Sequence, residues 1–292
     1  MPLVPTQQLI QTVLPDRSGI GAFNVIHLET AEAIVAAAER AGQPVILQIS
    51  ENCVRYHGGL EPIGVGALSI ARISNAPVAV HLDHAEDDEL ARMAVDLGFG
   101  SVMFDGAKLD YESNVDTTVR IVEYAHARDV WVEAELGEIG GKDGAHAPGV
   151  RTDPAEAHRF VAETGVDSLA VAVGSSHAMT KRSAALDLEL ITRINAVVPV
   201  PLVLHGSSGV SDDQLVAAIA AGMTKINVST HLNSFFTAAV RSYLTDNPEV
   251  VDSRKYVAAG RDALSAEAER LIRLFAHDGS STDGSSESAT RP

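Results

Sequence analysis

A single cysteine, Cys53, stands in 292 residues, so no disulfide framework can form within the chain. The compartment expected from this is a reducing cytoplasm. Basic residues are scarce: 22 Lys and Arg against 39 Asp and Glu give a formal net charge of −17. Nucleic acid and anionic membrane surfaces repel such a chain, so neither is an expected partner. An anionic substrate then needs a local positive site. No apolar run approaches the roughly 20 residues of a membrane span. The opening Met1-Pro2-Leu3-Val4-Pro5 has neither a basic stretch nor a long apolar run, so no signal peptide is expected. No Walker-type loop appears, and Gly19 and Gly21 only faintly echo a dinucleotide loop that lacks its third glycine.

What the chain does have is apolar content of 46%, enough for a sizeable core, and a repeating pattern. Short apolar runs at 21–25, 44–49, 77–82, 101–104, 130–134, 168–173, 202–204 and 225–228 read as strands. Helical segments are expected at 3–14, 30–41, 61–75, 86–97, 114–128, 154–164, 186–197, 212–221, 231–244 and 258–276. Strand followed by helix, eight times, implies right-handed crossovers and a parallel sheet. Eight units at this length suit a closed (β/α)8 TIM barrel better than an open doubly wound sheet. The barrel and its C-terminal helical segment are expected to occupy residues 1–277. Residues 278–292 are rich in Ser and Gly, cannot bury enough to offset ordering entropy, and read as a disordered tail.

Barrels place their chemistry at the carboxyl ends of the strands. There the sequence puts His84, His177 and His205 on three separate strands, with Asp83, Asp105 and Glu135 on neighbouring ends. Three imidazoles at one rim suit a catalytic metal that keeps a position open for substrate. For His81 and Asp83 the plainer alternative is a hydrogen-bonded pair finishing a strand. The loops Gly206-Ser207-Ser208 and Asn227-Val228-Ser229-Thr230 open the last helices. Small residues there leave backbone N–H groups for phosphate, the alternative being ordinary N-capping. Asn24 and Ser50, on the first two strands, complete the candidate substrate contacts. The segment 137–150 has many glycines and no apolar period, and reads as a lid.

Five motifs together resemble the class II, zinc-dependent fructose-bisphosphate aldolase family, its tagatose-bisphosphate branch included. They are Val80-His81-Leu82-Asp83-His84; Glu133-Ala134-Glu135-Leu136-Gly137 with Gly140-Gly141; His177; Leu204-His205-Gly206-Ser207-Ser208-Gly209; and Lys225-Ile226-Asn227-Val228. The resemblance runs over nearly the whole chain. It implies one zinc ion on His84, His177 and His205, with Asp83 as acid/base and Glu135 near the metal. It implies dihydroxyacetone phosphate on the two loops, and Na+ or K+ on backbone carbonyls around Gly174 and Gly206. It implies Arg254 reaching the substrate's other phosphate, often from a partner subunit of a homodimer or homotetramer. The implied reaction is reversible cleavage of a ketose 1,6-bisphosphate to dihydroxyacetone phosphate and glyceraldehyde 3-phosphate.

Four departures bear on the sugar. Ala178 follows His177 where the family has glycine. Asp143 takes the place of a glutamate that moves the proton at carbon three. Ser229 replaces an aspartate frequent in fructose-type members, and Ser253 a common proline. Another phosphorylated ketose or keto-sugar acid therefore stays open as substrate. A metal-dependent hydrolase has no use for two phosphate loops, and an inactive scaffold no use for all three histidines with Asp83. The metal replaces the lysine Schiff base as electron sink, so no catalytic lysine is needed.

Overall fold

The computed structural model describes residues 2–136, 151–176 and 182–277. In chain order the elements are α1 (Thr6–Val13), β1 (Ile20–Asn24), α2 (Leu28–Ala41), β2 (Val45–Ser50), α3 (Glu51–His57), α4 (Leu60–Ile73), β3 (Val78–Ala85), α5 (Asp88–Leu97) and β4 (Ser101–Phe104). There follow α6 (Tyr111–His126), β5 (Trp131–Leu136), α7 (Pro154–Thr164), β6 (Ser168–Val171), α8 (Leu188–Val197), β7 (Leu202–Leu204), α9 (Asp212–Ala221), β8 (Met223–Val228), α10 (Thr230–Asp246) and α11 (Ser253–Phe275). The strands pair in parallel in sequence order and β8 closes on β1, giving the expected eight-stranded barrel.

Alternation along each strand sorts the side chains. Val78, Val80 and Leu82 of β3 join the large apolar layer under the helices. Ala79 points the other way, into a small cluster with Ile20, Ala22 and Ile46 that Leu9, Ile10 and Val13 of α1 close from below. Above that floor the interior turns polar: Gln48, His81, Ser101, Glu133 and Lys225 are all buried. This is why His81 and Asp83, two apart, share the interior while their apolar neighbours face outward.

Three differences from the sequence reading have local causes. α3 replaces an expected loop, because Ser50 ends β2 and also caps the helix, accepting the Cys53 N–H at 3.3 Å. β3 runs on to Ala85, three residues past its apolar run. α11 begins at Ser253, so Arg254 lies in its first turn, where Asp252 caps it through the Arg254 N–H at 3.1 Å.

The far end of α11 locks the barrel seam. The Phe275 carbonyl accepts the Gly19 N–H at 2.8 Å, and its fully buried ring stacks 6.4 Å from Phe23 of β1. Phe275→Ala should cost about 3–5 kcal/mol, the range for a buried aromatic truncated to a cavity. Chemical denaturation checks this; a loss below about 1 kcal/mol would mean α11 is not anchored through that ring.

Candidate active site

His84 does not obey the strand alternation that places Asp83. Register slips between Leu82 and Ala85 where β3 pairs β4, and His84 takes a left-handed backbone, φ 52°. The twist turns the imidazole toward the barrel mouth beside Asp83. Its Nδ1 donates to Asp105 Oδ2 at 2.8 Å, which leaves the Nε2 lone pair facing inward. His205 follows β7 and is fully buried. Its Nε2 donates to Glu133 Oε1 at 3.0 Å, so its Nδ1 lone pair faces His84. The two nitrogens lie 2.9 Å apart. Nitrogens sharing a tetrahedral zinc-sized ion lie about 3.3 Å apart, as bonds of roughly 2.05 Å require. Asp83 Oδ1 is 3.9 Å from His84 Nε2, and Glu135 Oε2 is 3.6 Å from His205 Nδ1. Two overlapping donor groups result, Asp83–His84–His205 and His84–Asp105–Glu135.

The donor set fits a divalent cation on two grounds. Each imidazole has its second nitrogen fixed by a carboxylate, the usual way a metal-binding tautomer is held. Charge points the same way: among the described residues, the carboxylates of Asp83, Asp105, Glu133 and Glu135 are buried here, and the Lys225 ammonium donates to Glu133 Oε2 at 2.8 Å. His81 adds no charge, because burial, helped by the Lys225 ammonium, pushes its pKa well below 6.5. Its Nδ1 lies 2.7 Å from Ser101 Oγ.

Asp83 is held by amides. Asn24 Nδ2 donates to Oδ2 at 3.2 Å and Asn227 Nδ2 to Oδ1 at 3.3 Å, while Gln48 Nε2 orients Asn24 at 2.6 Å. Burial raises the Asp83 pKa, but the imidazoles of His84 and His205, the Lys225 ammonium and Asn24 overcome it and hold the group at about 2. It is therefore a carboxylate, an acceptor aimed at the pocket.

A pocket of about 420 Å³ opens above these groups. Of the residues picked out by sequence, Asn24, Ser50, Asp83, His84, Gly206, Ser207, Ser208, Asn227, Ser229 and Thr230 line it together. His205 and Glu135 lie buried beneath its floor. The two loops are tied to each other: Ser207 Oγ donates to the Asn227 carbonyl, and His231 N–H to Ser208 Oγ at 3.1 Å. N-capping accounts for α9, where Ser211 accepts the Gln214 N–H, but not for α10, where Ser229 makes no side-chain cap. Gly206 is required as glycine: at φ 66° an added Cβ would sit 2.7 Å from the Ser176 backbone. Gly174, at φ 116°, would meet the Ala185 carbonyl at 2.6 Å.

His177 and Asp143 lie outside the described residues, as does the tail from 278. Arg254 is not among the residues that line the pocket. Its side chain is exposed and closes on Asp252 at 2.9 and 2.8 Å. The sequence reading missed Gln48, Glu51, Arg55, Glu86 and Lys108, which also line the pocket. The available signal was the Glu51–Arg55 spacing of four, which marks a helix surface pair just after a strand end.

A charged chain braces the two loops from behind. His231 Nε2 meets Glu267 Oε1 at 2.6 Å, Arg270 donates to Glu267 and Asp212, and Arg182 donates to Asp212 at 2.6 Å and to the Val210 carbonyl. Burial raises the Glu267 pKa, yet hydrogen bonds from His231 and Arg270 bring it from 4.5 down to about 2.

Comparison with known proteins places the chain in company. The sequence model described as fructose-bisphosphate aldolase class-II matches residues 4–280. A fructose-bisphosphate aldolase of Geobacillus stearothermophilus is 41% identical over 283 residues, covering 96% of this chain and 99% of its own. A 6-phospho-5-dehydro-2-deoxy-D-gluconate aldolase of Bacillus licheniformis is 36% identical over 282 residues, covering 96% and 97%. Among solved structures, the YdjI aldolase of Escherichia coli K12 superposes with a TM-score of 0.84 at 32% identity, covering 95% of this chain and 98% of that one.

Two predictions follow from the geometry. His84→Ala and His205→Ala should each abolish tight binding of one divalent ion, and Asp105→Asn should weaken it roughly 10- to 100-fold, the usual effect of removing a ligand's orienting partner. Chelator competition reads all three; undiminished affinity in Asp105→Asn would leave the His84 orientation to the backbone alone. Glu267 has a depressed pKa, so the stability it adds is present above 4.5 and lost as pH falls toward about 2. Glu267→Gln should lower stability at neutral pH and flatten the acid-unfolding curve across that window.

Proposed function

The chain belongs to the class II fructose-bisphosphate aldolase family, a family of lyases, and on that premise we propose that it reversibly cleaves a phosphorylated ketose, in the first instance fructose or tagatose 1,6-bisphosphate, into dihydroxyacetone phosphate and glyceraldehyde 3-phosphate. The observation that carries the reading is the pair of imidazole lone pairs converging at 2.9 Å, in a pocket lined by the two tied loops.

The metal would be zinc, with His84 and His205 as ligands and His177, which lies outside the described residues, as the third. When bound, it polarises the ketone and provides the electron sink that the cleavage needs. The chain's own residues do the rest. The backbone N–H groups of 206–208 and the start of α10 hold the phosphate of the dihydroxyacetone half, with the helix dipole favouring its charge. Asp83 takes the proton from the hydroxyl that becomes the aldehyde, and returns it in the synthetic direction. Asn24 and Asn227 keep that carboxylate aimed and ionised. Ser50 lines the opposite side of the pocket. Asp143, on the segment 137–150, is assigned the proton at carbon three. Glu135 lies beside the metal, and carbonyls near Gly174 and Gly206 hold a monovalent cation. Arg254 reaches the site only from a second subunit of a homodimer or homotetramer, because within one chain it points into solvent. No helix among the described residues is long and apolar enough to cross a membrane, which is consistent with the proposed cytoplasmic location. A second reading rests on the B. licheniformis relative, whose name specifies a phosphorylated keto-sugar acid.

Asp83→Ala should keep its fold and its bound zinc while turnover falls roughly 10²- to 10⁴-fold, the range for a lost general acid/base. EDTA-sensitive release of dihydroxyacetone phosphate from a panel of ketose phosphates measures this. A loss under tenfold would move the proton-transfer role to another residue.

A further inference from the structure

Beneath the pocket lies a buried cation that the proposed chemistry does not use. Lys225 extends from β8 into the barrel interior, where it is 2% exposed. It is not among the residues that line the pocket, so its ammonium does not meet a substrate there. In a barrel closed in the order β1 to β8, β8 faces β4. Lys225 reaches the strands on either side of β4: Glu133 Oε2 of β5 at 2.8 Å and His81 Nε2 of β3 at 3.4 Å. Both partners are buried.

The direction of these bonds follows from the cation. An ammonium has donors and no acceptor. His81 Nε2 therefore accepts, and the ring carries its N–H on Nδ1, which donates to Ser101 Oγ at 2.7 Å. Ser101 Oγ is bonded in turn to Thr6 Oγ1 of α1 at 2.7 Å, which anchors the ammonium to the barrel floor. On the other side, Lys225 occupies Glu133 Oε2 and leaves Oε1 to His205 Nε2 at 3.0 Å. An ionised carboxylate only accepts. The His205 N–H is therefore on Nε2, and its Nδ1 lone pair faces His84 Nε2 at 2.9 Å. Without the ammonium, the carboxylate has one bond fewer to fix its rotation, and the His205 tautomer is no longer set from behind.

We propose that Lys225 is a positioning residue for His205. It fixes the Glu133 carboxylate from β8, and through that carboxylate it sets which imidazole nitrogen of His205 is free for a metal ion. His81, Ser101 and Thr6 hold the ammonium in place from below. The inference rests on the metal reading of the site and adds a supporting cation to it. It also separates this buried lysine from a Schiff-base nucleophile, which would have to reach the ketone.

Affinity for zinc, read by chelator competition on the full chain, tests this. Glu133→Gln should weaken binding roughly 10- to 100-fold, the usual effect of losing a ligand's orienting partner. Lys225→Met should weaken it roughly tenfold, the lower end of that range. In the double variant Lys225→Met/Glu133→Gln the loss should match that of Glu133→Gln alone within about twofold, because residues that act through one another are not additive. Full zinc affinity in Lys225→Met would overturn the proposal. So would a further tenfold loss on adding Lys225→Met to Glu133→Gln, since Lys225 would then act by another route. Lys225→Met leaves a buried carboxylate without its cation, and the double variant removes that charge. Should Lys225→Met alone not fold, Ser101→Ala decides. It keeps the ion pair and should weaken zinc binding roughly threefold through His81, the small end of what intervening positions contribute to coupling; unchanged affinity overturns the proposal. Borohydride trapping of dihydroxyacetone phosphate on Lys225 would overturn it too, by making the lysine a nucleophile. The two readings fail differently. If the wild type binds no zinc tightly, the metal reading is wrong. If it binds zinc tightly and Lys225→Met binds it equally well, only the role of Lys225 is wrong.

Discussion

A strand sends successive side chains to opposite faces, so Asp83 and His84 cannot both face the barrel mouth while β3 stays regular. The whole site depends on how that conflict is resolved. The chain slips register after Leu82 and carries His84 through a left-handed φ of 52°. Such a backbone costs on the order of 1–3 kcal/mol for a residue with a Cβ. The surroundings hold it there: Asp105 accepts from His84 Nδ1, and the Asp105 N–H returns to the Ala85 carbonyl at 2.8 Å. The turn that strains the backbone is thus clamped from β4 on both sides. It delivers one ionised carboxylate and one oriented imidazole to the same spot from adjacent positions.

The second constraint is electrostatic. Burying Asp83, Asp105, Glu133 and Glu135 together would be costly in a dry interior, because unpaired charge loses its hydration. Lys225 neutralises Glu133, and amide donors spread the charge of Asp83. Among the described residues the carboxylates of Asp83, Asp105 and Glu135 gather around the His84–His205 pair. An interior arranged this way is suited to a divalent cation, and the same cation would complete the charge balance of the fold. Metal binding and barrel stability are then coupled, as they are wherever ligands are preassembled by folding.

Much of this was legible in the sequence, for identifiable reasons. The strands were legible because the outward face of each is apolar, as at Leu82 and Leu204, although their ends fell up to three residues from the expected ones. The helix α9 was legible from Ser211 and the acidic pair after it. The short α3 was not, since seven residues give hydrophobic periodicity too little length, and its start is hidden inside β2 by the double use of Ser50. The inward role of Glu133 was hidden for a different reason. It sits two residues before Glu135 on the same face, one layer deeper, and only the tertiary pairing with His205 and Lys225 shows what it orients. The left-handed turn at His84 has no local signature, because neither glycine nor asparagine marks it.

The division of labour across the mouth also bears on how such a barrel changes substrate. On the β7–β8 rim, Gly206 at φ 66° leaves no room for a side chain. The rim after β2 to β4 presents side chains instead, Arg55 bonded to Glu51 and Lys108 paired with Glu86. Two relatives of similar length and similar identity carry names that differ in the substrate beyond its phosphate, a ketose bisphosphate in one and a keto-sugar acid in the other.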